Sequence, residues 1–158
     1  MIVVAGDLLR LITILPDGPP PAFGLATASI DFTLDGQGVR SAAWCGQGAS
    51  AVRLLSRVGA LDSGPLTAAM AARGVEAIFA TTTDATTGVI ARICESDAPA
   101  NYVSLGASAK LAPEDIPPKI LDGASWLHVS GFLLYDPATR PGARALIDQA
   151  KELNIGVS

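Results

Sequence analysis

The sequence predicts an α/β fold: a mainly parallel sheet with helices packed on it and a small β flap inserted. Three observations predict it. The apolar run Ile2–Ala5 ends in Gly6-Asp7, as a buried parallel strand delivers its chain to a turn. Strand-like and helix-like segments alternate toward both ends of the chain. Between them, three short strand-like runs follow one another with no helix.

The elements follow in order. After the first strand, IVVA at 2–5, residues 8–15 continue apolar until the loop PDGPPP breaks the run at Pro16. ATASIDFTLD, 26–35, alternates small or apolar with polar residues, the period of a strand with one wet face. A helix starts at Gly38 and runs toward Gly48. Its end is weakened by Gly46 and Gly48, each glycine costing about 1 kcal/mol in a helix interior, and its packing face falls on Ala42, Ala43 and Cys45. AVRLLSRVG, 51–59, reads as a strand. Asp62 as cap and Pro65 in the first turn open a helix through TAAMAAR that Gly74 ends. EAIFA (76–80), TGVIARICE (87–95) and NYVSL (101–105) are the three short strands, the first two joined by a polar TTTDAT turn. Pro113, Glu114 and Asp115 start a short helix, and WLHVSG, 126–131, is a buried strand. Asp136 or Thr139 caps a helix that runs to Leu153 with Asn154 as its stop, and 155–158 begins a last strand.

Composition sets the bounds. A chain of 158 residues fits one domain and buries roughly two thirds of its unfolded surface. With 49% hydrophobic and 16% charged residues, global disorder is excluded. The net charge is −4 and the eleven Lys and Arg are scattered, which sets aside nucleic acid and anionic membranes as partners. The apolar N-terminus lacks a basic lead-in and is interrupted by Asp7 and Arg10, so it reads neither as a signal peptide nor as a span, and a cytoplasmic location is expected. Cys45 and Cys94 are far apart and accompanied by a single histidine. That excludes a zinc site or a C-x-x-C pair built from them, and both are expected to be buried, reduced thiols.

Few residues carry chemistry. GQGVRS lacks the third glycine of a dinucleotide loop and the lysine of a Walker loop, so it reads as a turn feeding a helix N-terminus. His128, inside an apolar strand, reads as a satisfied imidazole without a role. Asp7 stands at the C-terminal end of the first strand, where open α/β sheets place ligand-binding groups. A carboxylate bonding the N–H groups of its own turn reads equally well there. Asp136 reads as a cap, Trp44 and Trp126 as core, and neither Ser104 nor Ser130 has a His and Asp arranged around it. No catalytic residue and no metal ligand is assigned.

The ordered set SAAW, LLSRVGALDSG, AARGVEA, TTGVIARI, VSLGASAKLAPEDI and WLHVSGFLL, following an apolar strand that ends in Gly-Asp, resembles the N-terminal portion of the PfkB (ribokinase-like) carbohydrate kinases over essentially all 158 residues. The resemblance implies a Rossmann-like, ribokinase-type sheet with helices on both faces and a β lid, the lid strands lying within about 22–35 and 76–105. It also implies transfer of the γ-phosphate of ATP, with Mg²⁺, to a sugar hydroxyl.

Carried over by position, the family's G-D-x-x-x-D start reads Gly6-Asp7-Leu8-Leu9-Arg10-Leu11, with Leu11 where a sugar-binding carboxylate stands. In the G-G-x-G-A-N turn, Asp35 replaces the first glycine, Gly36 and Gly38 match, and Arg40 replaces the asparagine. The implied substrate-binding residues are therefore Asp7, Gly36, Gly38 and Arg40. Arg40 either points into the site and favours an anionic group or faces solvent in the first turn of its helix.

The family's glycine-rich anion hole with its catalytic aspartate, its N-x-x-E magnesium motif and its adenine pocket have no match within residues 1–158. The expectation is an N-terminal kinase fragment, inactive on its own, with ATP and Mg²⁺ implied by the resemblance alone. The alternative is a non-catalytic binding or interaction module of the same fold, and a homo-oligomer through the lid or an unfinished sheet edge is expected in either case.

Overall fold

The computed structural model describes residues 1–19, 21–48, 51–95 and 98–158; Pro20 of the PDGPPP turn and Ser96 and Asp97 of the expected lid span lie outside the described residues. The elements run β1 Ile2–Ala5, β2 Leu9–Pro16, β3 Ala28–Asp35, α1 Gln37–Gly46, β4 Val52–Gly59, α2 Ser63–Ala71, β5 Val75–Thr82, β6 Thr87–Ile93 and β7 Ala100–Gly106. After two short 3₁₀ turns come β8 Trp126–Val129, α3 Gly131–Tyr135, α4 Arg140–Glu152 and β9 Gly156–Val157.

Five strands form a parallel sheet in the order β5-β4-β1-β8-β9. Both faces are covered, which is why these strands read as unbroken apolar runs. Val3 and Ala5 face one side, where they meet Leu55, Leu127 and Val129 and the Ala143, Leu146 and Ala150 stripe of α4. The steps of three and four along α4 put that stripe on one helix face. Val4 faces the other side with Leu54 and Val58, against Val39 and Ala42 of α1 and Leu66 and Met70 of α2. Helices thus lie on both faces of the sheet. Gly74 (φ 73°) closes the turn after α2, and Asn154 (φ 54°) takes the left-handed conformation that stops α4.

A second sheet, in the order β3-β2-β6-β7, makes the flap. Its membership differs from the expected lid limits at two places. Val75–Thr82 pairs in parallel with β4 along its whole length and so belongs to the main sheet. Leu9–Pro16, which reads as a featureless apolar run because both of its faces carry apolar residues, is an interior lid strand between β3 and β6. β3 also departs from one-sided wetting: Ile30, Asp31, Phe32 and Thr33 are all exposed, because the strand is the sheet's outer edge and neither of its faces is packed.

Other local expectations are corrected by packing. Trp44 (73% exposed) and Trp126 (45% exposed) lie on the surface instead of in the core. The face of α1 that packs is Gly38, Val39 and Ala42; Ala43 and Cys45 are only partly buried. Cys45 and Cys94 are free thiols, each partly exposed. Among the described residues no helix is long and apolar enough to cross a membrane.

Candidate functional site

The chain leaves β1 to one side of the sheet, through β4 and β5, and returns to its other side through β8 and β9. The carboxyl ends of β1 and β8 therefore flank the point where strand order reverses, the crevice in which open α/β sheets bind ligands. Gly6 and Asp7 follow β1 there, and Ser130 follows β8.

Glycines make the crevice possible. A Cβ on Gly38 would fall 2.6 Å from the Gly6 carbonyl carbon and 2.9 Å from the Asp7 nitrogen, and one on Gly6 would fall 2.5 Å from the Gly38 Cα. The start of α1 thus lies directly on the turn after β1. Gly36 (φ 115°) makes the bend into that helix.

Gly36 stands at the N-cap and has no side chain to offer, so the cap comes from across the fold. Asp7 Oδ2 accepts the Gln37 N–H at 3.2 Å and Asp7 Oδ1 the Gly38 N–H at 3.4 Å, while the Asp7 carbonyl takes the Val39 N–H at 3.3 Å. The Ser130 hydroxyl lies 3.5 Å from Asp7 Oδ1 and 3.3 Å from Gln37 Oε1, linking the ends of β1 and β8. Asp7 is thus the carboxylate that closes its turn, and it also borders the cavity described below.

Arg40 lies at the other end of the same turn. Its Nε and Nη2 grip both oxygens of Asp35, the Nη2–Oδ2 bond measuring 2.7 Å, and Asp35 Oδ1 also accepts the Gly36 N–H at 2.8 Å. Arg92 of β6 stands 3.7 Å from the same carboxylate. Asp35 is only 4% exposed, while the Arg40 side chain is 62% exposed. Arg40 thus borders the cavity with its charge already matched.

The Arg40 hydrogen bonds hold the Asp35 carboxyl below its ordinary pKa; burial opposes them, and the Gly36 N–H and the charges of Arg40 and Arg92 reinforce them. A carboxyl depressed in the folded state adds stability at pH values above its unfolded pKa of about 4, and that share disappears as pH falls through the folded value. Asp35→Asn is therefore expected to lower stability by about 1–2 kcal/mol at pH 7. The gap between the melts of the variant and the wild type should narrow as pH falls from the neutral range into acid and the Asp35 carboxylate is protonated. A gap that stays constant across the acid range would show that the ion pair contributes nothing.

Between these turns and the lid lies a cavity of about 680 Å³. Asp7, Asp35, Gly36, Gln37 and Arg40 border it from the turns. Leu9, Ile90, Val103 and Leu105 come from the lid, and Phe132, Tyr135 and Asp136 from α3 and the residue after it. Of the residues implied by the resemblance, Asp7, Gly36 and Arg40 are brought together at this cavity. Gly38 lies behind them as the packing contact with Gly6. Leu11 is buried in β2, opposite Thr33 and Ile90.

Sequence reasoning gave no role to Gln37, Ser130, Phe132 or Tyr135. Ser130 had a usable signal, since it directly follows an apolar strand at the sheet's carboxyl end. The lid residues and the aromatic residues of α3 had none.

Other candidates lie elsewhere. His128 is satisfied by two hydroxyls, Ser158 Oγ at 3.1 Å from Nδ1 and Ser41 Oγ at 3.3 Å from Nε2. Thr139 stands at the N-cap of α4 but donates to the Leu133 carbonyl (2.9 Å), and Asp136 Oδ1 accepts the Ala138 N–H. Asp62 precedes α2 and pairs with Arg10 at 2.5 Å instead of capping the helix. Among the described residues no three His, Cys, Asp or Glu side chains gather to hold a metal ion. Arg10, Arg40, Arg53, Arg57 and Arg92 are each paired with a carboxylate. These five arginines, with their charge already matched, do not offer a site for a triphosphate with its magnesium.

No protein-family model and no curated protein matches the sequence. Solved structures do. A PfkB protein from Polaromonas sp. JS666 is 24% identical with a TM-score of 0.82, covering 99% of this chain and 53% of that one. An Escherichia coli protein described as ribokinase II, in complex with ATP and Mg²⁺, is 16% identical with a TM-score of 0.84 (99% and 51%). A fructokinase from Xylella fastidiosa is 14% identical with a TM-score of 0.83 (99% and 50%). The fold is therefore the ribokinase type, and the chain spans about half the length of the structures it matches.

Proposed function

We propose that this chain, with the ribokinase-type fold, forms the acceptor side of an ATP-dependent carbohydrate kinase. In this reading it binds a sugar or sugar-like hydroxyl compound between the lid and the carboxyl ends of β1 and β8. One observation carries the proposal: the cavity of about 680 Å³ sits at the topological switch point and is bordered by Asp7, Gly36 and Arg40, the positions implied by the kinase resemblance. The reading assigns ATP and Mg²⁺ to groups outside residues 1–158. It gives this chain three tasks: holding the acceptor, orienting its hydroxyl against the Asp7 turn, and excluding water beneath the lid. The 158-residue chain alone is then inactive in phosphoryl transfer.

The test is a calorimetric titration of the chain with D-fructose and D-ribose, beside a phosphotransfer assay with ATP. Binding without turnover is the expected result, and failure of both sugars and their nucleoside analogues to bind would overturn the reading. Arg40→Asn adds a sharper expectation. It frees Asp35 to accept sugar hydroxyls, and one charge-assisted hydrogen bond is worth about 1.5–3 kcal/mol, so fructose affinity should rise about tenfold or more. An unchanged titration would remove Asp35 from the acceptor site.

A second reading, a non-catalytic interaction module, is favoured by the exposed Trp44 and Trp126. They border a groove of about 560 Å³ with Ile2, Cys45 and His128, away from the lid. Self-association in sedimentation without ligand binding would support it.

A further inference from the structure

We propose that the Arg10–Asp62 ion pair is a latch on the back of the lid: it holds the lid away from α3, and its release lets the lid move down over the cavity. What the lid closes over rests on the acceptor-site reading above, whereas the latch itself stands on geometry that involves no ligand.

Strand alternation separates the two faces of the lid sheet. Leu9 of β2 borders the cavity, so its neighbour Arg10 projects from the opposite face. The register carries this division across the sheet. Arg10 lies beside Leu34 of β3 and Val89 of β6, whereas Asp35 beside Leu9, and Ile90 next to Val89, border the cavity. From the outer face the Arg10 Nη2 reaches Asp62 Oδ1 at 2.5 Å, immediately before α2. The cavity and α3 thus lie on the inner side of the lid and Asp62 on its outer side. Movement of the lid toward α3 carries Arg10 away from Asp62.

Among the described residues, no other ion pair ties the outer face of the lid to the rest of the protein. Arg40 and Arg92 meet Asp35 on the cavity side, and the Arg53–Glu76 and Arg57–Asp115 pairs lie outside the lid. Hydrogen bonds between lid and body gather instead at the strand ends. The Thr87 hydroxyl accepts the Gly59 N–H at 3.1 Å, the Thr86 carbonyl accepts the Ala107 N–H at 2.9 Å, and the Ser108 hydroxyl donates to the Leu8 carbonyl at 3.2 Å. Placed where the strands leave the body, these bonds form a pivot and leave the tilt of the lid to the latch.

The lid stands open. Val103 and Leu105 of the lid and Phe132 and Tyr135 of α3 border the cavity from its two sides, yet they are 43–83% exposed. Closure buries apolar surface on both sides, and the latch opposes it. The Arg10 side chain is 48% exposed and that of Asp62 22%, so the pair is a modest one, and its loss should shift the ratio of open to closed lid about two- to fivefold.

Two native thiols report the lid position. Cys94 follows β6, its N–H held by the Ile14 carbonyl at 2.9 Å, and Cys45 belongs to α1; both are free and partly exposed. Nitroxide labels on the pair give the distance from lid to body by pulsed electron resonance on the 158-residue chain. At low salt one narrow distribution is expected. Asp62→Asn and, separately, Arg10→Gln should move part of it to a second distance, and about 1 M salt should do the same to the wild type by screening the pair. The charge exchange Arg10→Asp with Asp62→Arg should return most of it to the first distance. Circular dichroism melts confirm that the variants fold. Distances unmoved in both single variants, or an exchange that restores nothing, overturn the latch. D-fructose, titrated calorimetrically, is expected to bind Asp62→Asn about two- to fivefold more tightly than wild type, because more of the chain is free to close. Equal affinity would also overturn the proposal. If fructose binds no form of the chain, the acceptor-site reading falls and the distances alone decide the latch.

Discussion

Gly38→Val should destabilise the protein by about 3 kcal/mol or more, the upper end of what overpacking costs. The reason is backbone against backbone. The new side chain would start 2.6 Å from the Gly6 carbonyl carbon, 2.7 Å from its Cα and 2.9 Å from the Asp7 nitrogen, and none of these atoms can rotate away as a side-chain tip can. Relief requires α1 to lift off the turn after β1, which pulls Val39 and Ala42 out of the core beneath α1 and α2. A domain is stable by only about 5–15 kcal/mol in total, so denaturant melts should show the loss plainly. Ligand binding should vanish with it, because the Gln37 and Gly38 N–H groups no longer meet Asp7. A variant that melts within about 2 °C of the wild type would show that the two turns are not in contact.

The second large effect is expected at Asp7. Asp7→Ala removes the acceptor for two helix N–H groups and for the Ser130 hydroxyl in a nearly buried place, and should cost about 2–3 kcal/mol. Asp7→Asn retains one acceptor oxygen and should recover at least half of that loss. The pair separates structure from function. If Asp7 also holds the acceptor hydroxyl, ligand affinity falls in both variants, including the one whose stability is largely restored. If affinity follows stability alone, Asp7 is only the cap of α1.

Much of the fold was legible because local signals agreed with the tertiary answer. The apolar runs of β1, β4 and β8 carry no alternation, and burial on both faces demands none. Gly74 and Asn154 marked the helix ends they terminate. The failures share one cause. β2 and β5 are both apolar, and only pairing decides that β2 joins the lid while β5 extends the main sheet. Trp44 and Trp126 read as core by residue type, yet helix phase and strand position leave them on the surface.

The candidate site divides in the same way. Asp7 stood out at a strand end, where local chain geometry limits what a residue can do, while Gly36, Gly38 and Arg40 entered only through the resemblance. By itself the sequence determined the α/β class, the order of most elements and the turn that feeds α1, and the resemblance to the kinase family marked Leu11 and Arg40 as departures from its pattern. Only the tertiary structure decided that Arg40 closes on Asp35, that Ser130 stands within reach of Asp7 from 123 positions away, and that lid and α3 face each other across one cavity. Contacts of that kind depend on the summed path of many dihedrals, and no short window of sequence records where that path returns.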